Sequence, residues 1–202
     1  MTISNALSSD TVNLSGVVSD TTATLATGVD HTFVGGTGAD VITMTTGLIS
    51  ADNIDGGDGT DTLSITQATT QSAALQLSNI ETLRLGGTGT ASLNLAGTSG
   101  VTTIDLEVAA NATGTQTLRG VTTITNITID ADDNTAASND YQALTIVSGY
   151  AGTADELTVT VNSDATNGMG GTEGLITASG VETLALSLTG DAAVQFGGFT
   201  ST

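Results

Sequence analysis

Apolar residues in this chain recur in a short motif. Ile80-Glu81-Thr82-Leu83-Arg84-Leu85, Val101-Thr102-Thr103-Ile104-Asp105-Leu106, Val121-Thr122-Thr123-Ile124 and Val181-Glu182-Thr183-Leu184-Ala185-Leu186 share an apolar residue at i and i+3, and mostly at i+5. Tyr141-Gln142-Ala143-Leu144-Thr145-Ile146 is a looser copy. Apolar residues two apart with a polar one between them predict a strand. Asn79, Gly100, Gly120 and Gly180 stand just before four of these motifs. Such residues tolerate the positive φ of a tight corner. The i+3 position falls at Ile42, Leu63, Leu83, Ile104, Ile124, Leu144 and Leu184, in steps of 21, 20, 21, 20, 20 and 40. Two residues further on stand Met44, Ile65, Leu85, Leu106, Asn126, Ile146 and Leu186. Asn126 interrupts that series, and Ile127 with Ile129 points to a local bulge there.

Strands repeating at this interval predict an all-β, right-handed parallel β-solenoid (β-roll or β-helix) with about 20 residues per coil. No single coil can bury its inner side; stacked coils bury a continuous column. Leu75/Leu77 and Leu93/Leu95 predict a second strand per coil, and Thr-rich stretches suit the outer faces. A helical reading fails because apolar residues never sustain i, i+4, i+7 spacing and Thr and Gly are poor helix formers. Leucine-rich repeats share the period, but their asparagine signature is missing. Residues 150–178 are less regular: Leu157, Val159 and Val161 read as a strand, and 167–171 as a loop insertion. The chain reads as one structural domain, with 1–25 as a cap or lead-in strands, 26–64 as glycine-rich turns and 65–202 as continuing coils.

Composition adds one constraint. Two basic residues, Arg84 and Arg119, face 21 acidic ones, so the net charge is 2 − 21 = −19. Nucleic-acid binding, which rests on cationic phosphate contacts, is excluded, and docking on anionic lipid is disfavoured. A compact chain so charged repels itself, and divalent cations are the natural neutralisers. The absence of cysteine fits a secreted bacterial protein that avoids disulfides. The opening residues 1–16 read as neither a signal peptide nor a membrane span, so either export uses a route without an N-terminal signal or the chain is a fragment.

The most specific chemistry lies in residues 26–64. Gly35-Gly36-Thr37-Gly38-Ala39-Asp40-Val41-Ile42 and Gly56-Gly57-Asp58-Gly59-Thr60-Asp61-Thr62-Leu63 both match GGxGxDxU, where U is a large apolar residue. A degenerate unit from Gly47 to Asp55 keeps Asp52 and Ile54 in register. An earlier one, Ala26 to Val34, keeps Phe33 but has His31 at the aspartate position. Glycine permits the tight turn, turn carbonyls supply hard oxygens, and the aspartate supplies charge just before the strand. Calcium takes six to eight such oxygens. Asp40 and Asp61 are 21 residues apart, one repeat, so an ion can bridge two stacked turns. The predicted metal set is Asp40, Asp52, Asp55, Asp58 and Asp61 with Gly36, Gly38, Gly57 and Gly59. Asp30, Asp130, Asp132 and Asp133 are further candidates; the cluster around Asp130 and Asp140 reads first as a solvated loop.

The succession FVGGTGADVI, a short insert, DNIDGGDGTDTLSI and SNIETLRL resembles bacterial surface-layer proteins of the RTX type. The resemblance covers the first 40% of the chain, roughly residues 30–85, and implies several properties. Such proteins leave the cell by type I secretion through an uncleaved C-terminal signal, fold on extracellular calcium, and assemble into a lattice. They often attach to surface polysaccharide through a separate N-terminal domain. The resemblance also carries the ligand role to Asp40, Asp52, Asp58 and Asp61. This chain departs from the pattern in its short array, in His31 and in showing no evident helical anchoring domain, so it reads either as assembling by itself or as the assembly module of something larger.

Parallel β-helices also include polysaccharide lyases and epimerases, which need a base and a cation against a uronate carboxylate. Only His31, Arg84 and Arg119 are candidates here, and the arginines read as surface partners of acids. No nucleophile elbow, phosphate loop or zinc spacing is present. The expected function is therefore an extracellular, non-enzymatic, self-assembling scaffold that needs calcium. The alternative is a calcium-stabilised adhesin or matrix module of the same fold.

Overall fold

The computed structural model describes residues 1–6, 11–25, 30–45, 50–66, 70–86, 89–107, 114–120, 123–131, 143–147, 155–163, 176–190 and 199–200. Among them the chain is all strand and turn, and the strands pair in parallel as the coils of a β-solenoid.

The described strands form three sheets. The largest has nine strands in chain order: Thr2–Ala6, Thr22–Leu25, Val41–Met44, Thr62–Ile65, Thr82–Leu85, Thr103–Glu107, Asn126–Ala131, Glu156–Ser163 and Thr183–Gly190. A four-stranded sheet (Thr11–Asn13, Thr32–Val34, Asn53–Asp55, Gln76–Ser78) supplies the second strand of the early coils. A six-stranded sheet, from Thr70–Ala74 to Phe199–Thr200, supplies it thereafter. The exchange happens within one coil, where Thr70–Ala74 opens one sheet and Gln76–Ser78 closes the other. Fully buried Leu75 sits at the bend, its N–H donating to the Asn94 carbonyl at 2.9 Å.

Register explains the apolar pattern. Ile3, Ala23, Ile42, Leu63, Leu83, Ile104, Ile127, Val159 and Leu186 are successive partners across the large sheet. From Ala23 to Val159 each is at most 1% exposed. A parallel column runs Leu25, Met44, Ile65, Leu85, Leu106, Ile129, Val161, Leu188. On the other walls, Val12, Phe33, Ile54 and Leu77 form one file and Leu93, Leu118, Ile146 and Ala178 another. Burying one such side chain contributes about 1.5–3 kcal/mol. The predicted corners are present: Asn79 has φ 50°, Gly100 101°, Gly120 70° and Gly180 82°.

Three details differ from the pattern read in the sequence. The period of about 20 residues holds only to Thr103; the next steps, Thr103 to Asn126, Thr158 and Ala185, are 23, 32 and 27 residues. The columns therefore pass through Ile127 and Ile129, while Ile124, although buried, stands before the strand. Leu144 and Ile146 belong to the six-stranded sheet, facing Gln116 and Leu118. Leu186, and not Leu184, continues the file of Leu83. Longer coils add residues between strands, and the chain conserves inward apolar alternation and not count. Likewise Leu77 and Leu93, read as equivalent second strands, lie in different sheets. The proposed insertion at 167–171 is outside the described residues.

Candidate functional site

The glycine-rich turns stack on one another. The N–H of Thr37 donates to the Val17 carbonyl and that of Asp58 to the Gly36 carbonyl, each at 2.9 Å. Residues 14–20, 35–40 and 56–61 thus form a small wall of turns that leads into the large sheet. Contact is backbone on backbone. A Cβ on Gly56 would fall against the Asn79 carbonyl and 2.6 Å from Asp61 Oδ2. Gly36 and Gly38 are buried, and a Cβ on Gly57 or Gly59 would meet their respective carbonyl oxygens.

Carboxylates stitch this wall into a ladder. Thr21, Asp40, Asp61 and Glu81 occupy the same place in successive coils, one residue before the strand. Each acid reaches back to the backbone of the coil before it. Asp40 Oδ1 accepts the Thr21 N–H at 2.7 Å, Asp61 Oδ1 the Asp40 N–H at 2.7 Å, and Glu81 Oε2 the Asp61 N–H at 2.7 Å. Charge-assisted bonds of this kind are roughly twice as strong as neutral ones. Asp40 and Asp61 are buried, at 1% and 0% exposed.

The two turns differ at the second carboxylate oxygen. Gly36 N–H donates to Asp40 Oδ2 at 2.9 Å. Its counterpart, Gly57 N–H, turns instead to Asp55 Oδ1 at 3.1 Å. Asp61 Oδ2 is left buried with no hydrogen-bond partner. Burial raises the Asp61 carboxyl to about 6, with the charges of Asp40, Glu81 and Asp55 adding to the rise and the Asp40 N–H opposing it. A buried, partly unsatisfied carboxylate among other acids fits a hard cation. Among the described residues no three His, Asp or Glu side chains are gathered to hold a metal by themselves. An ion here would therefore draw on turn carbonyls as well.

Comparison with protein families, curated proteins and solved structures finds no match to this chain. The site is thus read from its own geometry.

The remaining expected ligands are dispersed. Asp52 is buried at the head of a strand in the four-stranded sheet, where its Oδ1 accepts the His31 N–H at 2.9 Å. His31 does hold the aspartate-equivalent position one coil earlier, as Thr32 pairs with Asn53. Asp55 closes its own turn and takes Asn79 Nδ2 at 2.8 Å. Asp58 and Asp30 are exposed. Asp130 pairs through its backbone with Glu107 and Asn162; Asp132, Asp133 and Asp140 lie outside the described residues. Arg84 binds Asp105 of the next coil at 2.8 Å, and Arg119 Nε reaches Ser92 Oγ at 3.3 Å.

Sequence reasoning missed Glu81, Glu182 and Asp20. Glu81 ends the ladder. Glu182 Oε2 repeats its act on the Asp155 N–H at 2.8 Å. Asp20 Oδ1 accepts the Ala39 N–H at 3.0 Å. A signal existed for the first two: Asp61-Thr62-Leu63, Glu81-Thr82-Leu83 and Glu182-Thr183-Leu184 are the same acid–Thr–Leu triplet. Asp20 had none, since residues 14–20 hold a single glycine, Gly16, and do not match GGxGxD.

Proposed function

We propose that this chain is an extracellular, calcium-dependent structural protein that self-assembles into a surface layer or a filamentous or sheet-like surface assembly. One observation carries the reading: Asp61 keeps a buried, unpartnered carboxylate oxygen beside other acids in a turn rich in backbone carbonyls. The missing component is positive charge bound through oxygen. Zinc would want sulfur or several imidazoles, and the chain has no Cys and a single His. Calcium suits an all-oxygen site. Asp40, Asp61 and the carbonyls of the stacked glycine turns would hold it. Its charge would tie neighbouring coils together, so that binding adds to folding stability. Extracellular modules bind calcium at about 10⁻⁴–10⁻³ M, a range that favours action outside the cell.

Secretion by the type I route, and attachment to cell-surface polysaccharide, follow from the resemblance to RTX surface-layer proteins. A non-enzymatic role is supported by the engagement of both arginines with neighbouring side chains. The test is electron microscopy of purified protein with millimolar calcium and with chelator. Ordered assemblies that form with calcium and dissolve on chelation are expected. Monodisperse monomer in both states overturns the assembly reading.

A further inference from the structure

The two glycine turns share one GGxGxD sequence, yet their second glycines differ in conformation. Gly57 stands at φ 94°, in the left-handed region, whereas Gly36 has no positive φ. The Gly36 N–H closes on Asp40 Oδ2, while the Gly57 N–H goes to Asp55 Oδ1 and leaves Asp61 Oδ2 buried without a partner. The cause lies outside the motif. Strand register sets Val34 beside Asp55, and the bonds from Gly35 N–H to the Asp55 carbonyl and from Gly56 N–H to the Ser78 carbonyl set Gly35, Gly56 and Asn79 at the same place in successive coils. The first turn therefore has Val34 before it and Gly56 one coil on, and neither carries a polar side chain. The second has Asp55 and Asn79. These two bond, Asn79 Nδ2 donating to Asp55 Oδ1 at 2.8 Å, with Asn79 held at φ 50°. Asp55 Oδ1 so gathers two donors from two coils, and the Gly57 N–H is one of them.

We infer that Asp55 is a positioning residue: by taking the Gly57 N–H it keeps Asp61 Oδ2 open to a cation, while the turn of Asp40, with no such acceptor beside it, closes through hydrogen bonds alone. This rests on the calcium reading above and makes the two turns unequal. A donor on Asp61 Oδ2 would occupy a lone pair and set the positive end of its dipole where the ion must sit. Residues that orient a ligand in this way act on metal affinity without touching the metal. The ion belongs on the side of the Asp61 turn that faces Asn79. There Gly56 has no side chain, and Asp61 Oδ2 and the Asn79 carbonyl both approach the space that a Cβ would fill. Asp40, whose two oxygens already accept the N–H groups of Thr21 and Gly36, acts on the ion chiefly through its charge.

Calorimetric titration of calcium chloride into the full chain, first stripped with chelator, tests this. Asp55→Val copies Val34 of the preceding coil and should weaken binding about 10–100-fold, the usual effect of losing a residue that orients a metal ligand. Asp55→Asn keeps the Oδ1 acceptor for the Gly57 N–H and should recover most of that loss; a residue that binds the ion through its own charge would not be rescued. Where Asp55→Val does not reach the wild-type circular dichroism spectrum, Asp55→Val with Asn79→Gly, which reproduces the pair Val34 and Gly56, takes its place. Wild-type affinity in the valine variant, or equal loss in the valine and asparagine variants, overturns the role of Asp55 and leaves the calcium site standing. A wild-type chain that takes up no calcium overturns the calcium reading, and the role of Asp55 with it.

Discussion

Asp61 Oδ1 receives the backbone N–H of Asp40, the residue at the same place one coil earlier, at 2.7 Å. One carboxylate thereby does two tasks. It holds the register of two coils, and its other oxygen keeps a charge buried between them. The first task needs only an acceptor; the second needs a cation or a proton. Variants and pH separate the two.

Asp61→Asn keeps an acceptor for the Asp40 N–H and removes the charge. The chelated variant should melt at least as high as the chelated wild type. It should also lose most of the calcium-induced gain in melting temperature. Thermal denaturation with and without calcium checks both. Asp40→Ala with Asp61→Ala should impair calcium-induced folding measured by circular dichroism; an unchanged response refutes the site.

The pH dependence has a definite sign. Asp61 titrates near 3.8 in the unfolded chain and near 6 in the folded one. Between these values the folded chain holds a proton that the unfolded chain has released. Without divalent cations the Asp61 contribution to stability is therefore largest below about pH 4 and falls as pH rises toward 6. Calcium should oppose this fall at the upper end, and Asp61→Asn should flatten it. Denaturant midpoints between pH 4 and 7 measure the slope.

Glu81→Ala leaves the Asp61 N–H without its acceptor and should cost about 1–3 kcal/mol, while Glu81→Gln should recover much of that loss. Glu182→Ala removes the same kind of bond at an exposed position and should cost less. Urea denaturation of the three variants orders them.

Gly56→Ala places a methyl group against the Asn79 carbonyl and Asp61 Oδ2, where backbone must move. A loss of about 1–3 kcal/mol, typical of overpacking, is expected, together with weaker calcium binding by calorimetry. Gly16→Ala meets nothing within 4 Å and serves as the control, with little change.

Much of this architecture is legible along the chain. Alternation at Leu83/Leu85 and Ile104/Leu106 reveals strands, their 21-residue interval reveals coils, and Asn79 and Gly100 mark corners. These follow from local physics: a pleated strand turns alternate side chains inward, and a tight corner needs positive φ. The pairing of Asp40 with Asp61 is readable for the same reason, because a regular repeat makes sequence distance equal spatial stacking. Where the repeat lengthens, that equality fails. Ile124 and Leu144 keep the interval but leave the column, because coil length can vary while inward packing cannot. The exchange of one side wall for another near Leu75 leaves no local trace, since a buried Leu suits either sheet. The direction in which each carboxylate reaches and the orphaned Asp61 oxygen were decided only in three dimensions. Hydrogen bonding and burial belong to neighbours on adjacent coils, and the chain alone does not say which atoms those neighbours present.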